Sequence, residues 1–417
     1  MEFKEHLLKY LDETFVDELI STFDKKEHKG LILNTNKMSD EKFKELFPDV
    51  IKHPIVPHCF LYDQDKYEFG KSIYHDLGCF YIQDPSASLV SYFLSPKMHS
   101  DVLDYCAAPG GKSIEASLLL EETGIIYSND ISQTRANILL SNVERLGLGN
   151  IVVSSLDLTE VRNLEERFDY IILDAPCSGS GMFRKDSEMK KDWTYQKVLK
   201  QAEIQKKLIK HAYSLLKKGG CLIYSTCSYS FEEDEEVVEY LLLNSDAKLV
   251  ELPSYEGFYK STKFPETIHL FPNLFCGEGH YIALIKKPGV LSINENNCQY
   301  LLTRKSIGKG LKPIIYNFSL PKEPIKHLID SSIRPGLLTT YEIANKGYIS
   351  HHYSHYLDST QSYKLSDEEL KKYLHGETLN VKENKNYALV SYDSLNVGAV
   401  YQVNNVLKNL YPKGLRR

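Results

Sequence analysis

DVLDYCAAPGGKS, residues 101–113, carries an apolar strand into a loop with adjacent Gly110 and Gly111 and then into a helix. That layout lets a ligand approach backbone N–H groups closely, as at the carboxyl edge of an open α/β sheet. The ending GGKS also resembles a phosphate-binding P-loop, but the spacing of that motif requires glycine where this chain has Cys106, which argues against an NTPase. Reading outward, GIIYSND, NIVVSSLD, YIILDAP, CLIYSTC, AKLVELP and HYIALIKKP follow as apolar runs separated by helical patterns, including one from Ser132 to Leu146 and a long one ending at Lys218. Alternation of this kind predicts an α/β, doubly wound, parallel sheet with helices on both faces and seven strands, ending near Pro288.

Acids close strands two, three and four at Asp130, Asp157 and Asp174. A lone acid there often caps the next helix, yet three of them suit one site along the sheet edge. Asp130 is placed to accept hydrogen bonds from two ribose hydroxyls of an adenosine-type ligand, and Asp157 to meet the adenine amine.

Strands four and five run into Asp174-Ala175-Pro176-Cys177 and Ser225-Thr226-Cys227. Neighbouring strands lie about 4.8 Å apart, so both thiols can face one crevice. The eight cysteines contain no C-x-x-C pair and no zinc-finger spacing, so neither disulfides nor a structural metal is expected. Two thiols and one acid suit chemistry on a pyrimidine whose carbon 5 is too weak a nucleophile to take a methyl group directly. A thiolate adding to carbon 6 makes carbon 5 an enamine carbon, and a carboxyl group such as Asp174 can bond N3 and the exocyclic amine.

Around this unit, Phe3, Leu7, Leu8, Leu11, Phe15, Leu19, Ile20 and Phe23 recur at helical spacing, and a small α+β module extends to about residue 98. PGVLSINENN reads as a linker. Residues 291–417 hold 17 Lys/Arg against 11 Asp/Glu, or +6, which leaves −12 in residues 1–290 and brings the chain to −6. A basic region on an acidic body is compatible with locally concentrated phosphate contacts, and equally with a lysine-rich surface. The N-terminal stretch is too charged for a signal peptide, and no run is long enough for a membrane span, so a cytoplasmic protein is expected.

DYCAAPGGKS, DAPCSGSGMFRKD and YSTCSYSFEEDEEVVEYLL together resemble the RNA cytosine-5 methyltransferases (the NOL1/NOP2/Sun family), in particular their bacterial RsmF branch. GLILNTNK, YIQDPSAS, LFPNLFCGEGHYIALIKK and LKNLYPKGLRR extend the resemblance over nearly the whole chain. It implies a Rossmann-like S-adenosylmethionine methyltransferase domain at 99–290, an N-terminal RNA-binding module at 1–98 and a PUA-like RNA-binding region at 291–417. It further implies Cys227 as nucleophile, Cys177 in product release, and cofactor contacts from Cys106, Ala107, Ala108, Pro109, Gly110, Gly111, Lys112, Asp130, Arg135, Asp157 and Asp174. The implied partner is small-subunit ribosomal RNA or the 30S subunit, with transfer RNA as the alternative and a monomer as the default. A P-loop NTPase and a non-catalytic RNA-binding assembly factor are the readings of a different class. Phe231 and Asp234 stand where the family usually has Pro and Asn, Asp84 and Ser88 replace a usual Glu and Met, and His269 takes a usual Arg position.

Overall fold

Successive side chains of a strand point to opposite faces, and in this chain both faces are apolar, so the strands after Asp101 are buried on two sides. In the computed structural model, which describes residues 2–295, 299–306, 313–343, 346–383 and 385–416, Val102, Ile126, Ile172 and Ile223 pack on one face against Leu89, Ile114 and Leu139. Their neighbours Leu103, Tyr127, Ile171 and Leu222 pack on the other against Ile209, Val237 and Leu328. Each fully buried aliphatic side chain contributes roughly 1.5–3 kcal/mol, so the double-sided core dominates the stability of this unit.

The five strands Leu216–Thr226, Phe168–Asp174, Asp101–Asp104, Ile125–Asn129 and Ile151–Ser154 lie side by side in that order and run parallel. The chain starts in the middle, winds to one edge, then returns past Asp101–Asp104 to wind the other way. Such a reversal opens a crevice at the carboxyl ends of the strands.

All seven expected strands form, but the sheet is not wholly parallel. Tyr281–Lys286 is antiparallel both to Leu216–Thr226 and to Lys248–Val250, because an antiparallel return needs no crossover helix. Short strands Tyr259–Lys260 and Ile268–His269 extend that edge. At the opposite edge Arg334–Pro335 pairs with Ile151–Ser154, so the C-terminal region covers a strand edge that would otherwise be open.

The helix predicted to reach Lys218 spans Tyr195–Leu215, since Leu216 is taken into the ladder opposite Phe168. The N-terminal amphipathic pattern forms two helices, Phe3–Leu7 and Glu13–Ser21, because Asp12 caps the second by accepting the Phe15 N–H at 2.9 Å. Strands Ile51–Lys52, Cys59–Tyr62, Lys29–Leu33 and Phe80–Ile82 make an antiparallel sheet before the Pro85–Leu94 helix. Beyond the central sheet lie an antiparallel meander within 300–349 and a five-stranded sheet within 363–409. Within the linker, residues 296 and 297 lie outside the described residues, as does Cys298. Among the described residues no helix is long and apolar enough to cross a membrane.

Candidate active site

The parallel strands end at a cavity of about 450 Å³. Tyr105 and Cys106 reach it from the first strand, Asn129 and Asp130 from the second, Asp157 from beyond the third, Asp174 and Cys177 from the fourth and Cys227 from the fifth. Of the residues singled out in the sequence, Ala108 and Arg135 also line it. Ala107, Pro109, Gly110, Gly111 and Lys112 do not; the first three form the turn, and Gly111 and Lys112 open the Gly111–Leu119 helix that follows it. There Gly110 has φ +118°, a conformation that favours glycine, and a Cβ would meet Leu139 at 2.7 Å.

Asp130 is buried, with one carboxylate oxygen accepting the Ser132 N–H at 3.0 Å. Its Oδ2 accepts no hydrogen bond from the described residues, although the Arg135 guanidinium stands 3.3 Å away as an ion pair. Arg135 in turn donates to the Ala108 carbonyl at 2.6 Å, so it ties the loop to the helix that carries it. Asp157 lies three residues past its strand, is exposed, and caps the 158–160 turn by accepting from Thr159. The capping role thus holds for Asp157 alongside its place in the lining.

Asp174 accepts from Lys112 at 2.8 Å and from Ser225 at 2.7 Å. Burial would raise its carboxyl, but Lys112, with help from His280 and Ser225, outweighs burial and holds the group below its ordinary range. It is therefore a carboxylate at neutral pH and acts only as an acceptor.

Cys177 and Cys227 bring their Sγ atoms to 3.0 Å. This follows from the fourth and fifth strands being neighbours in register, with Asp174 opposite Ser225. The contact with Cys227, then burial, pushes the Cys177 thiol well above its ordinary range.

Several residues that hold this pair carry no signal of that role in the sequence. Glu233 accepts from the Ser178 N–H at 2.8 Å, from the Ser228 hydroxyl at 2.6 Å and from Gln205 at 3.0 Å, and so clamps the two cysteine loops together. Gly181 lets its backbone approach the other loop, since a Cβ there would meet the carbonyls of Cys227 at 2.9 Å and Gly279 at 3.0 Å. Arg184 and Glu278 form a buried ion pair at 2.8 Å beneath the loop, and Asp84, the cap of the Pro85–Leu94 helix, accepts the Glu278 N–H at 3.0 Å. Glu233 stands inside one of the family motifs, but nothing in its spacing distinguishes it from its acidic neighbours.

Residues 91–286 match the family described as 16S rRNA methyltransferase RsmB/F, residues 1–85 the N-terminal domain of 16S rRNA methyltransferase RsmF, and residues 360–417 the methyltransferase RsmF PUA domain. The chain belongs to the RsmB/F family. Ribosomal RNA small subunit methyltransferase F of Vibrio parahaemolyticus is 34% identical over 286 residues, 65% of this chain and 59% of that protein. The chain thus spans about three fifths of the length of that relative, whereas the match to the same-named protein of Shewanella piezotolerans, 29% identical, covers 96% of this chain and 93% of the other. The tRNA (cytosine(49)-C(5))-methyltransferase of Pyrococcus abyssi is 36% identical over 61% of this chain and 87% of its own length. Among solved structures, NSun6 from Pyrococcus horikoshii with SFG superposes with a TM-score of 0.64 at 21% identity, covering 69% of this chain and 97% of that one, which shows a shared fold. The chain therefore has a methyltransferase fold, with Cys177 and Cys227 in contact at the carboxyl edge of its sheet.

Proposed function

We propose that this protein transfers a methyl group from S-adenosylmethionine to carbon 5 of a cytosine in small-subunit ribosomal RNA, through a covalent bond between Cys227 and carbon 6. The observation that carries this reading is the 3.0 Å contact between the Cys177 and Cys227 thiols at the mouth of the strand-end cavity, beside an ionised Asp174.

The cavity suits the cofactor. Asp130 Oδ2 is buried and accepts no hydrogen bond from the described residues, which is what a carboxylate awaiting ribose hydroxyls presents. Cys106, Ala108, Asp130, Arg135 and Asp157 would hold the nucleoside part, and a relative of the same fold was solved with SFG, an analogue of the cofactor. Bound there, S-adenosylmethionine supplies an electrophilic methyl group on a sulfonium.

Cys227, as thiolate, adds to carbon 6 and so raises electron density at carbon 5. Asp174 can only accept, so it takes a hydrogen bond from the exocyclic amine, and Lys112, hydrogen-bonded to the same carboxylate, is the cation that offsets negative charge developing near N3. After methylation a water molecule acting as base takes the carbon 5 proton, the released electron pair restores the carbon 5–carbon 6 double bond, and Cys227 leaves carbon 6 as a thiolate. Cys177, held protonated at neutral pH, donates its S–H to that leaving sulfur.

The RNA would be held by modules on both sides, 1–98 and 291–417, around the 99–290 catalytic unit. A groove of about 1320 Å³ in the C-terminal sheet is lined by Lys364, Lys382, Tyr363 and Tyr387, which could meet phosphates and bases, together with the acids Asp358, Glu369 and Glu383, the last paired with Lys385. The Pyrococcus abyssi relative favours a second reading, transfer RNA as substrate. Bisulfite sequencing of total RNA from cells with and without the gene tests both. Loss of one or more methylated cytosines in small-subunit ribosomal RNA is expected. Loss confined to transfer RNA would replace the substrate, and unchanged methylation in every RNA would remove the enzymatic reading.

A further inference from the structure

Directly behind the loop that carries Cys227, three buried side chains converge from two elements. Asp234 and Glu235 open the Glu235–Leu243 helix, and His269 comes from the short Ile268–His269 strand. One donor atom from each lies within 4.8 Å of the other two. All three residues are more than nine-tenths buried, at 0%, 2% and 6% exposure. Among the described residues, Asp234 Oδ2, Glu235 Oε2 and His269 Nδ1 find no hydrogen-bond partner.

Two adjacent carboxylates out of water cost several kcal/mol unless a cation or a proton offsets them. The neighbouring Glu233 is satisfied by Ser178, Ser228 and Gln205 and needs nothing more. Asp234 has a single partner, the Thr226 hydroxyl at 2.6 Å, while Glu235 shares His269 Nε2 at 2.8 Å and has the Ser261 hydroxyl beside it. That last separation is close to the roughly 2.9 Å between adjacent donors of a six-coordinate ion with bonds about 2.1 Å long. Glu235 and His269 also line a cavity of about 30 Å³, enough for one ion or water, which reaches the surface past exposed Thr262. The donor set depends on two positions at which the chain departs from the usual family residues, Asp for Asn at 234 and His for Arg at 269; a chain with the usual pair would have one carboxylate and a fixed cation in its place.

We infer that Asp234, Glu235 and His269 form a binding site for one divalent transition-metal cation, with imidazole and carboxylate donors of the kind that take Mn²⁺ or Zn²⁺. The ion would fasten the Ile268–His269 strand to the start of the helix. Through Asp234 and Thr226, whose hydroxyl also accepts the Ser228 N–H at 3.1 Å, it would brace the turn around Cys227.

Mn²⁺ is the probe of choice because thiols bind it weakly, which separates this site from the Cys177–Cys227 pair. Full-length protein, stripped with a chelator and titrated with Mn²⁺ under electron paramagnetic resonance, is expected to bind one ion per chain with a Kd below about 100 µM. Its spin-echo spectrum should carry histidine nitrogen modulation, and its melting temperature should rise. Asp234→Asn and His269→Gln should each weaken binding tenfold or more. No binding by the wild-type chain up to millimolar Mn²⁺, or binding without histidine modulation, would overturn the site and leave a proton shared between the two carboxylates. Equal affinity in either variant, once shown to be folded, would do the same. The wild-type spectrum decides the matter even where a variant does not fold.

Discussion

Cys177 and Cys227 are chemically alike and 3.0 Å apart, so the different roles proposed for them must come from what surrounds each. The contact with Cys227 and burial push the Cys177 thiol well above its ordinary range, which suits the part proposed for it as proton donor to the leaving thiolate. Cys227→Ser should therefore abolish methyl transfer, because a neutral hydroxyl is a far weaker nucleophile. Cys177→Ala should allow addition and stall release, so an RNA–protein adduct should survive denaturing electrophoresis and disappear when Cys227 is also changed. An adduct in the Cys227 single variant would reverse the two roles. For Asp130 the expectation is separable from chemistry. Its buried Oδ2 is the acceptor proposed for charge-assisted hydrogen bonds worth roughly 1.5–3 kcal/mol each, so Asp130→Ala should weaken S-adenosylmethionine binding about tenfold or more while RNA affinity stays close to wild type. Calorimetry showing unchanged cofactor affinity would take Asp130 out of the site.

The short helix His351–Ser354 holds a buried histidine whose protonation should oppose the fold. His351 packs edge-on to Tyr411 with ring centroids 4.9 Å apart, and burial, with Lys37 nearby, pushes its imidazole down to about 3. His280 and His53 are likewise pushed down to about 4 by burial. Unfolded histidine has a pKa of about 6.5, so above that pH both states are neutral and the stability is intact. As pH falls below about 6.5 the unfolded chain binds protons that the fold refuses, and each group removes up to about 1.4 kcal/mol per pH unit until its own folded value is reached. Melting curves should thus fall steeply between pH 6.5 and 4. His351→Gln should lessen the slope by about 1.4 kcal/mol per unit across that window; parallel slopes would mean that the ring is hydrated in solution. The same scale explains why the helix Gln133–Leu146 is legible in the sequence and its N-terminal counterpart is not. Ser132 and Gly147 cap the first at both ends, while the second is split by Asp12, a cap inside an otherwise unbroken apolar pattern.

At the scale of the whole molecule, the C-terminal region is built into the rest rather than tethered to it. Leu328 and Ile329 sit in the core of one face of the central sheet, Arg334–Pro335 closes its edge, Lys322 pairs with Asp101 at 2.9 Å, and residues of the last sheet share a core with Phe43, Phe60 and Phe80 of the N-terminal module. Truncation after residue 290 should therefore unfold the catalytic unit and abolish cofactor binding. Truncation after Leu357 should leave the central sheet covered, lower the melting temperature by exposing the shared core, and reduce the salt slope of RNA binding by roughly 0.7–0.9 for each phosphate that the shortened chain no longer neutralises. An unchanged slope would mean that residues 358–417, which hold 9 Lys/Arg against 7 Asp/Glu, contribute only a solvated surface. The sequence alone determined the order of strands and helices, the glycine turn and the placing of Asp130, Asp174, Cys177 and Cys227 at strand ends, because periodicity and turn chemistry act between residues a few positions apart. Only the tertiary structure decided which of these residues meet. The thiols are 50 residues apart and touch because two strands are neighbours; Glu233 became a clamp, and Asp234, Glu235 and His269 a donor set, because an antiparallel return folded His269 back beside the helix. Such meetings follow from sheet order and from the burial of distant apolar faces, and no local pattern encodes either.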